Sequence, residues 1–191
     1  MAFATIGNSA LTGSIDLTSK VTGTLPTANG GTGSTSYTSG ITMYDQWRLT
    51  ADLTGTQIPI ASSLERVDTS TQAFIGSAMT QSSGIFTFPS TGIYLVRFIC
   101  VQNANSAEDY VTFNIASTTD NSSYTTLTQG LEGATTGFAF GSGTVESTID
   151  VTDTSNVKVR FEATQSNTSN RIKGNTNKNR TTFTFMRIGD T

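Results

Sequence analysis

The 191-residue sequence contains no histidine, which removes the side chain most often used as a general base or metal ligand. Only one cysteine is present, Cys100, so the sequence offers no internal disulfide. Cys100 lies in the apolar run LVRFICV, where a free thiol is typically a small core residue. The sequence therefore predicts a protein that is not an enzyme and needs no cofactor.

Charge and long apolar runs are also scarce. Charged residues make up 13% of the chain and the formal net charge is −3, which gives no strong attraction to nucleic acid. No apolar run reaches the roughly 18 residues that a membrane-spanning helix needs. The N-terminal segment MAFATIGNSALTG lacks the basic start and apolar core of a secretory signal. We expect neither a nucleic-acid partner nor membrane insertion.

Residues 1–40 differ in composition from the rest of the chain. Residues 22–40 are mostly Gly, Ser and Thr, and cannot bury enough apolar surface to fold alone. The preceding segment alternates weakly between apolar and polar residues, as expected of an extended arm that lies along another protein. Its apolar positions are Leu11, Ile15, Leu17 and Val21. The sequence predicts an attachment arm followed by a connector.

From Ile41 onward the chain reads as short strands separated by turn residues. Period-two alternation or β-branched runs mark eight segments, with no convincing helix between them. The segments are YDQWRLTAD, GIFTFP, GIYLVRFICV, YVTFNIAST, SYTTLTQG, TVESTIDVT, NVKVRFEAT and TTFTFMRIG. This spacing predicts an all-β, two-layer jelly roll that folds independently over residues 41–191.

One stretch of this region carries a family resemblance. GIFTFPSTGIYLVRF, residues 84–98, resembles the central signature of the C1q and tumour-necrosis-factor superfamily: Phe-x-x-Pro, then Gly-x-Tyr and a long apolar strand. Pro89 fixes its φ angle and Gly92 tolerates unusual ones, so the chain can reverse between layers. The closing segment TTFTFMRIGDT is similar to the family's last strand.

The resemblance implies a homotrimer. In that case Tyr94 matches the tyrosine of the family's Gly-x-Tyr, on the inner sheet that faces the trimer axis. Phe183 and Phe185 alternate onto one face of the same sheet. The alternative is that all three are ordinary core aromatics of a monomer.

A second resemblance lies in the connector. GTLPTANGGTG, residues 23–33, resembles connectors that precede a C-terminal tip domain in bacteriophage tail fibres. The Gly-x-y repeat of collagen is not present. A short non-collagenous arm on a C1q-like head resembles a phage virion protein.

Two segments offer candidate receptor-binding residues. The segment from Gln165 to Arg180 holds four cations and no acid, and these can grip phosphate or uronic acid groups. They are Arg171, Lys173, Lys178 and Arg180. The alternative is a solvated loop.

The segment from Gly130 to Gly143 places Phe138 and Phe140 between glycines, where they could stack on sugar rings or fill a subunit seam. The adjacent carboxylates of Glu108 and Asp109 are more typical of solvated charge than of a metal site, so no metal is predicted.

These observations favour a trimeric virion surface protein: a short tail fibre or fibre tip that binds a host cell-surface glycan or protein through its head. Residues 1–40 would contact other virion proteins. One alternative is a capsid decoration or head-fibre protein anchored by the same arm. Another is a secreted bacterial C1q-like lectin.

Overall fold

The computed structural model describes residue 31 and residues 40–104, 109–133 and 139–191. Within them the chain forms twelve β-strands and no helix. The strands are β1 (Met43–Leu49), β2 (Leu53–Thr54), β3 (Leu64–Arg66), β4 (Thr80–Ser82), β5 (Ile85–Thr87), β6 (Gly92–Asn103), β7 (Tyr110–Thr118), β8 (Thr125–Gly133), β9 (Phe140–Val151), β10 (Lys158–Gln165), β11 (Arg171–Ile172) and β12 (Thr182–Gly189). These ranges contain no helix that is long and apolar enough to cross a membrane.

The strands form two antiparallel sheets. The large sheet has seven strands: β9 pairs with one edge of β6, and β12 and then β11 pair with its other edge. β1 and β3 extend the sheet beyond β12, and β2 extends it beyond β11. The small sheet has five strands, in the order β4-β5-β10-β7-β8. This all-β sandwich confirms the predicted jelly-roll fold class.

Residues Gly40–Thr191 form one compact unit. The predicted arm residues Leu11, Ile15, Leu17 and Val21 lie outside the described part of the chain.

The turn that suggested the family resemblance leads directly into β6. Gly92 has a φ angle of 140°, which side chains of L-residues rarely adopt. A Cβ atom there would lie 2.7 Å from the carbonyl oxygen of Gly189. Only glycine therefore lets β6 begin this close to the end of β12.

The core between the sheets is dominated by aromatic rings. Phe161 from the small sheet packs against Phe183 from the large sheet, with ring centroids 4.5 Å apart. Phe98 stacks on Phe183 at 5.1 Å and meets Phe113 edge-on at 5.7 Å. These four rings are at most 2% exposed. Such offset and edge-on pairs add to the stabilisation that burial of the rings gives.

Glycines near one end of the sandwich make room for Phe113. A Cβ atom on Gly130 or Gly143 would lie 2.4 Å or 2.2 Å from the tip of its ring. The segment Gly130–Gly143 is therefore not a simple loop, since β8 extends to Gly133 and β9 begins at Phe140. Likewise, the segment from Gln165 to Arg180 contains the short strand β11.

Two buried ionic contacts fix the β1 side of the large sheet. Asp45 is fully buried and accepts hydrogen bonds from Arg66 Nε at 2.9 Å, Trp47 Nε1 at 3.1 Å and the Met79 amide at 2.9 Å. Arg48, also fully buried, donates to Glu65 Oε1 at 2.7 Å. Because the buried charges Asp45 and Arg48 each have an oppositely charged partner, their burial does not leave a charge unpaired.

Candidate functional site

The three aromatic residues expected at a trimer axis lie in the core of one protomer. Tyr94, Phe183 and Phe185 are each 0% exposed. The Tyr94 ring packs 4.7 Å from that of Phe88, and its hydroxyl group donates to the Ser90 carbonyl oxygen at 3.0 Å. This corrects the assignment from sequence: their side chains point toward the small sheet and belong to the core of a single chain, which was the alternative.

That opposite face is apolar and partly exposed. Alternate residues of β6 line it and are joined by side chains from β12 and β1. We call this surface the apolar face, made of Tyr44, Ile93, Leu95, Ile99, Val101 and Met186. At its centre is a hollow of about 120 Å³, lined in part by Tyr44, Leu95, Ile99 and Met186. The surface is suited to taking up an apolar group.

The polar groups around the hollow have partners within the protomer. Arg97 donates from Nη2 and Nε to Glu146 Oε2 on β9, at 3.0 Å and 3.1 Å. Gln46 donates to the Thr184 hydroxyl at 2.9 Å and accepts from Asn179 Nδ2 at 3.1 Å. Since the ion pair neutralises Arg97, covering this face would not strand a lone charge.

At the far end of the same face, the structure brings together residues that the sequence had placed in two separate loops. Arg171 on β11 lies opposite Asn103 on β6, which in turn lies opposite Phe140 on β9. Residues directly opposite one another in neighbouring antiparallel strands project from the same face of a sheet. Lys173 Nζ lies 6.0 Å from the centre of the Phe140 ring. We call this group the Phe140 corner: Asp52, Asn103, Phe140, Arg171 and Lys173.

Asp52 holds Lys173 in the corner. Lys173 Nζ forms an ion pair with Asp52 Oδ2, and the Gly174 amide donates to Asp52 Oδ1 at 3.0 Å. Burial raises the pKa of Asp52. The hydrogen bonds from Lys173 and Gly174 and the charges of Lys173 and Arg180 lower it by more, so the pKa of Asp52 lies below its ordinary value. The Asp52 carboxylate thus stays charged and fixes the ammonium group of Lys173.

The remaining predicted cations, Lys178 and Arg180, are exposed on the segment that leads to β12. This segment is attached to the large sheet: the Asn175 amide donates to the Leu49 carbonyl at 2.8 Å, and the Thr176 hydroxyl donates to Glu65 at 2.9 Å. Of the four cations, two lie in the Phe140 corner and two outside it. Phe138 and Glu108 fall outside the described residues.

The described residues include no evident catalytic centre. Burial, and to a smaller extent the charge of Glu132, raises the pKa of the Cys100 thiol to about 12, so the nucleophilic thiolate is not formed near neutral pH. Within the described ranges no three His, Cys, Asp or Glu side chains converge as metal ligands. Asp109 is nearly buried, unlike the solvated charge that was predicted.

Sequence reasoning missed two members of the corner and most of the apolar face. Neither Asn103 nor Asp52 lies in a recognisable binding motif. The apolar face was detectable in principle, because GIYLVRFICV is apolar at nearly every position, which indicates that both sides of β6 face apolar groups.

Comparison with known proteins agrees with this architecture. No protein-family model matches the sequence, and no curated protein matches it. Solved structures do match. Murine APRIL at pH 5.0 superposes with a TM-score of 0.57 at 10% identity, over 76% of this chain and 98% of that one. The fold is that of the tumour-necrosis-factor and C1q jelly rolls.

Two further neighbours share this fold. An Eiger tumour necrosis factor from S. frugiperda matches with a TM-score of 0.58 at 9% identity, over 80% of this chain and 96% of that one. The globular domain of zebrafish complement 1qA matches with a TM-score of 0.51 at 11% identity, over 78% and 99%. At these identities the C1q-like jelly roll is shared as a fold.

Proposed function

We propose that the chain is a non-enzymatic bacteriophage virion surface protein, a short tail fibre or fibre tip. Its C1q-like head forms a homotrimer and binds the host cell surface, and residues 1–40 attach it to other virion proteins. The resemblance of the connector to tail-fibre connectors supports the phage context. The lack of histidine in the whole chain supports a role in binding rather than catalysis.

The observation that carries the self-association is the apolar face. It exposes Leu95 and Ile99 on either side of the Arg97–Glu146 ion pair. An exposed apolar patch bordered by polar groups is a typical protein–protein interaction site. A second copy of the chain is its occupant, because the side strands of the head expose apolar side chains that can fill the hollow. Leu131 on β8 is 64% exposed and Leu127 is 42% exposed. A face that receives a different surface of the next copy gives a head-to-tail contact. Such a contact forms a closed ring, here a trimer, when the rotation between successive copies is 120°, and an open filament when the rotation does not close.

A trimer also suits the host-binding role. Three copies of a weak surface site engage together, so avidity replaces single-site affinity. The Phe140 corner is the candidate site, since it combines an exposed ring with cations.

Light scattering on the purified full chain tests the self-association. We expect three times the mass of one chain for the unmodified protein and the mass of a single folded chain for Leu95→Lys, which places a charge in the hollow. Thr164→Lys is the matched control, because Thr164 is exposed on the small sheet. An unmodified protein that stays monomeric at micromolar concentration contradicts the proposal, as does a Leu95→Lys trimer.

The virion context is tested separately. A reconstruction of particles that carry the protein should show the head at the tail, with the arm seated on a neighbouring virion protein. Density on the shell instead would identify a capsid decoration protein, and a protein absent from particles would refute both.

A further inference from the structure

The Phe140 corner has the composition of a sugar-binding site. Phe140 is 72% exposed, the highest value among the described large apolar residues, although it stands in a strand. An exposed aromatic ring offers a flat apolar surface on which the C–H face of a pyranose can pack. Two strand spacings, about 10 Å, separate its backbone from that of Arg171, so both side chains can reach one bound sugar unit or two linked ones.

The polar side chains beside the ring indicate which polar groups a ligand needs. The Asn103 amide nitrogen lies 3.4 Å from the Ala139 carbonyl oxygen, to which it donates. This orientation leaves Asn103 Oδ1 as an acceptor for a sugar hydroxyl group. Arg171 is exposed and has no ion-pair partner among the described residues. Its guanidinium group presents paired donors that match a carboxylate or phosphate.

The charge balance of the corner favours an anion. The single carboxylate, Asp52, is neutralised by Lys173, and Arg180 is close enough to lower its pKa as well. Among the described residues, Arg171 therefore contributes a positive charge without a carboxylate partner next to the aromatic ring. A neutral sugar would use the ring and Asn103 but leave Arg171 without a partner.

We propose that the Phe140 corner binds an acidic sugar, a pyranose carrying a carboxylate or phosphate group. Its apolar face packs on Phe140 and its acidic group pairs with Arg171. Lys173, held in an ion pair by Asp52, lies beside the ring and leaves Arg171 as the cation available to the ligand. This assignment rests on the proposed host-binding function and names the ligand class for it.

Titration calorimetry on the full-length protein tests the assignment with four probes. Digalacturonic acid is compared with the neutral disaccharide galactobiose, and glucose 6-phosphate with glucose. We expect each acidic probe to bind at least about ten-fold more tightly than its neutral partner, since a charge-assisted bidentate contact contributes about that much. The stronger of the two acidic probes identifies the acidic group.

Two variants and two matched controls locate the site. Arg171→Gln should weaken binding of the acidic probe about ten-fold, and Phe140→Ala should weaken it several-fold. Lys178→Gln makes the same charge change outside the corner, and Phe74→Ala removes another exposed ring, 49% exposed, at a distant site. Both controls should bind within about two-fold of the unmodified protein.

Several results would overturn the assignment. These are equal binding of acidic and neutral probes, no binding of any probe, or equal losses for Arg171→Gln and Lys178→Gln. A Phe140→Ala protein with altered oligomeric mass and unchanged affinity would place the ring in a subunit seam instead. If the protein is a trimer that binds neutral sugars and the corner variants do not change that binding, the proposed function stands and only the ligand class is wrong. A monomer that binds no sugar contradicts both.

Discussion

The two faces of β6 are both largely apolar, yet they serve different purposes. The inward face carries Tyr94, Val96 and Phe98, each 0% exposed. The outward face carries Leu95 and Ile99, which stay partly exposed on either side of Arg97. The inward residues complete a core between the two sheets, whereas the outward residues stay partly exposed among the described residues.

Residue size separates the two faces. Packed sheets lie about 10 Å apart, and large aromatic rings fill that space. No sheet formed by the described residues lies against the outward face of β6, which carries aliphatic side chains and the Arg97–Glu146 ion pair. An apolar strand in this fold therefore has one side buried within the chain and a second side that, in the proposed trimer, is covered by another copy. The following substitutions separate them.

Phe98→Ala should have the largest effect on folding. Its ring contacts those of Phe113, Phe161 and Phe183, so its removal should lower the free energy of unfolding by about 3–5 kcal/mol. Ile99→Ala, on the outward face, should cost about 1 kcal/mol or less. Urea denaturation measures both, in the Leu95→Lys background so that self-association does not enter. Equal losses would show that the two faces are buried alike.

Removing a buried carboxylate should cost more than removing an exposed one. Asp45→Ala leaves Arg66 and the indole nitrogen of Trp47 without their acceptor, and we expect a loss of about 3 kcal/mol. Glu146→Ala breaks the exposed pair with Arg97, whose two side chains are 47% and 51% exposed, and should cost less than about 1 kcal/mol. The same denaturation experiment decides. Comparable losses would argue against the burial of Asp45.

Tyrosine hydroxyl groups on the two faces provide a finer comparison. Tyr94→Phe removes the hydrogen bond to the Ser90 carbonyl and should cost about 1 kcal/mol. Tyr44→Phe, on the outward face, is the matched control, because its hydroxyl group makes no hydrogen bond within the described residues. Measured in the Leu95→Lys background, where self-association does not enter, the control should leave the unfolding midpoint unchanged. A larger effect at Tyr44 would reverse the assignment of the two faces.

The Cys100 thiol should be almost unreactive in the folded protein. With its thiol pKa raised to about 12 by burial, only about one thiol in ten thousand is ionised at pH 8. A thiol reagent should leave the folded protein unlabelled for hours and label it at once in guanidinium chloride. Rapid labelling of the folded chain would mean that the inward face of β6 opens to solvent.

The long strands could be predicted from the sequence because their alternation or β-branched composition extends over six or more residues. Five strands have only two or three residues, too few for a period to be visible on their own. Of these, only β5 was predicted, within the longer segment GIFTFP, whereas β2, β3, β4 and β11 were not. Gly130 and Gly143 suggested a loop, but they lie in strands whose glycines accommodate the ring of Phe113. The packing of Phe113 therefore explains these two glycines, which local sequence had indicated as loop residues.

The side to which β6 turns its aromatic residues could not be predicted. In GIYLVRFICV both alternating sets are apolar, so Tyr94 and Leu95 are equivalent candidates for the core until the second sheet is placed. The Phe140 corner was hidden for another reason. Asn103, Phe140 and Arg171 are distant in the chain, and only the register of β6 with β9 and β11 aligns them. Register depends on the whole sheet and not on any single segment.

The direction of β1 has a mechanical consequence. Met43 pairs with Arg187, which pairs with Tyr94, so the described head begins at the Gly92 end of β6. The Phe140 corner lies at the Asn103 end, eleven residue steps away along the twelve-residue strand, or about 36 Å. A pull between Gly40 and a ligand held at the corner would run parallel to the strands. The hydrogen bonds between β1 and β12 lie across that direction, so they would be loaded together in shear instead of being unzipped one at a time. If the head is attached at the Gly92 end of β6 and binds its ligand at the Asn103 end, the hydrogen bonds along β1 would together resist a detaching force.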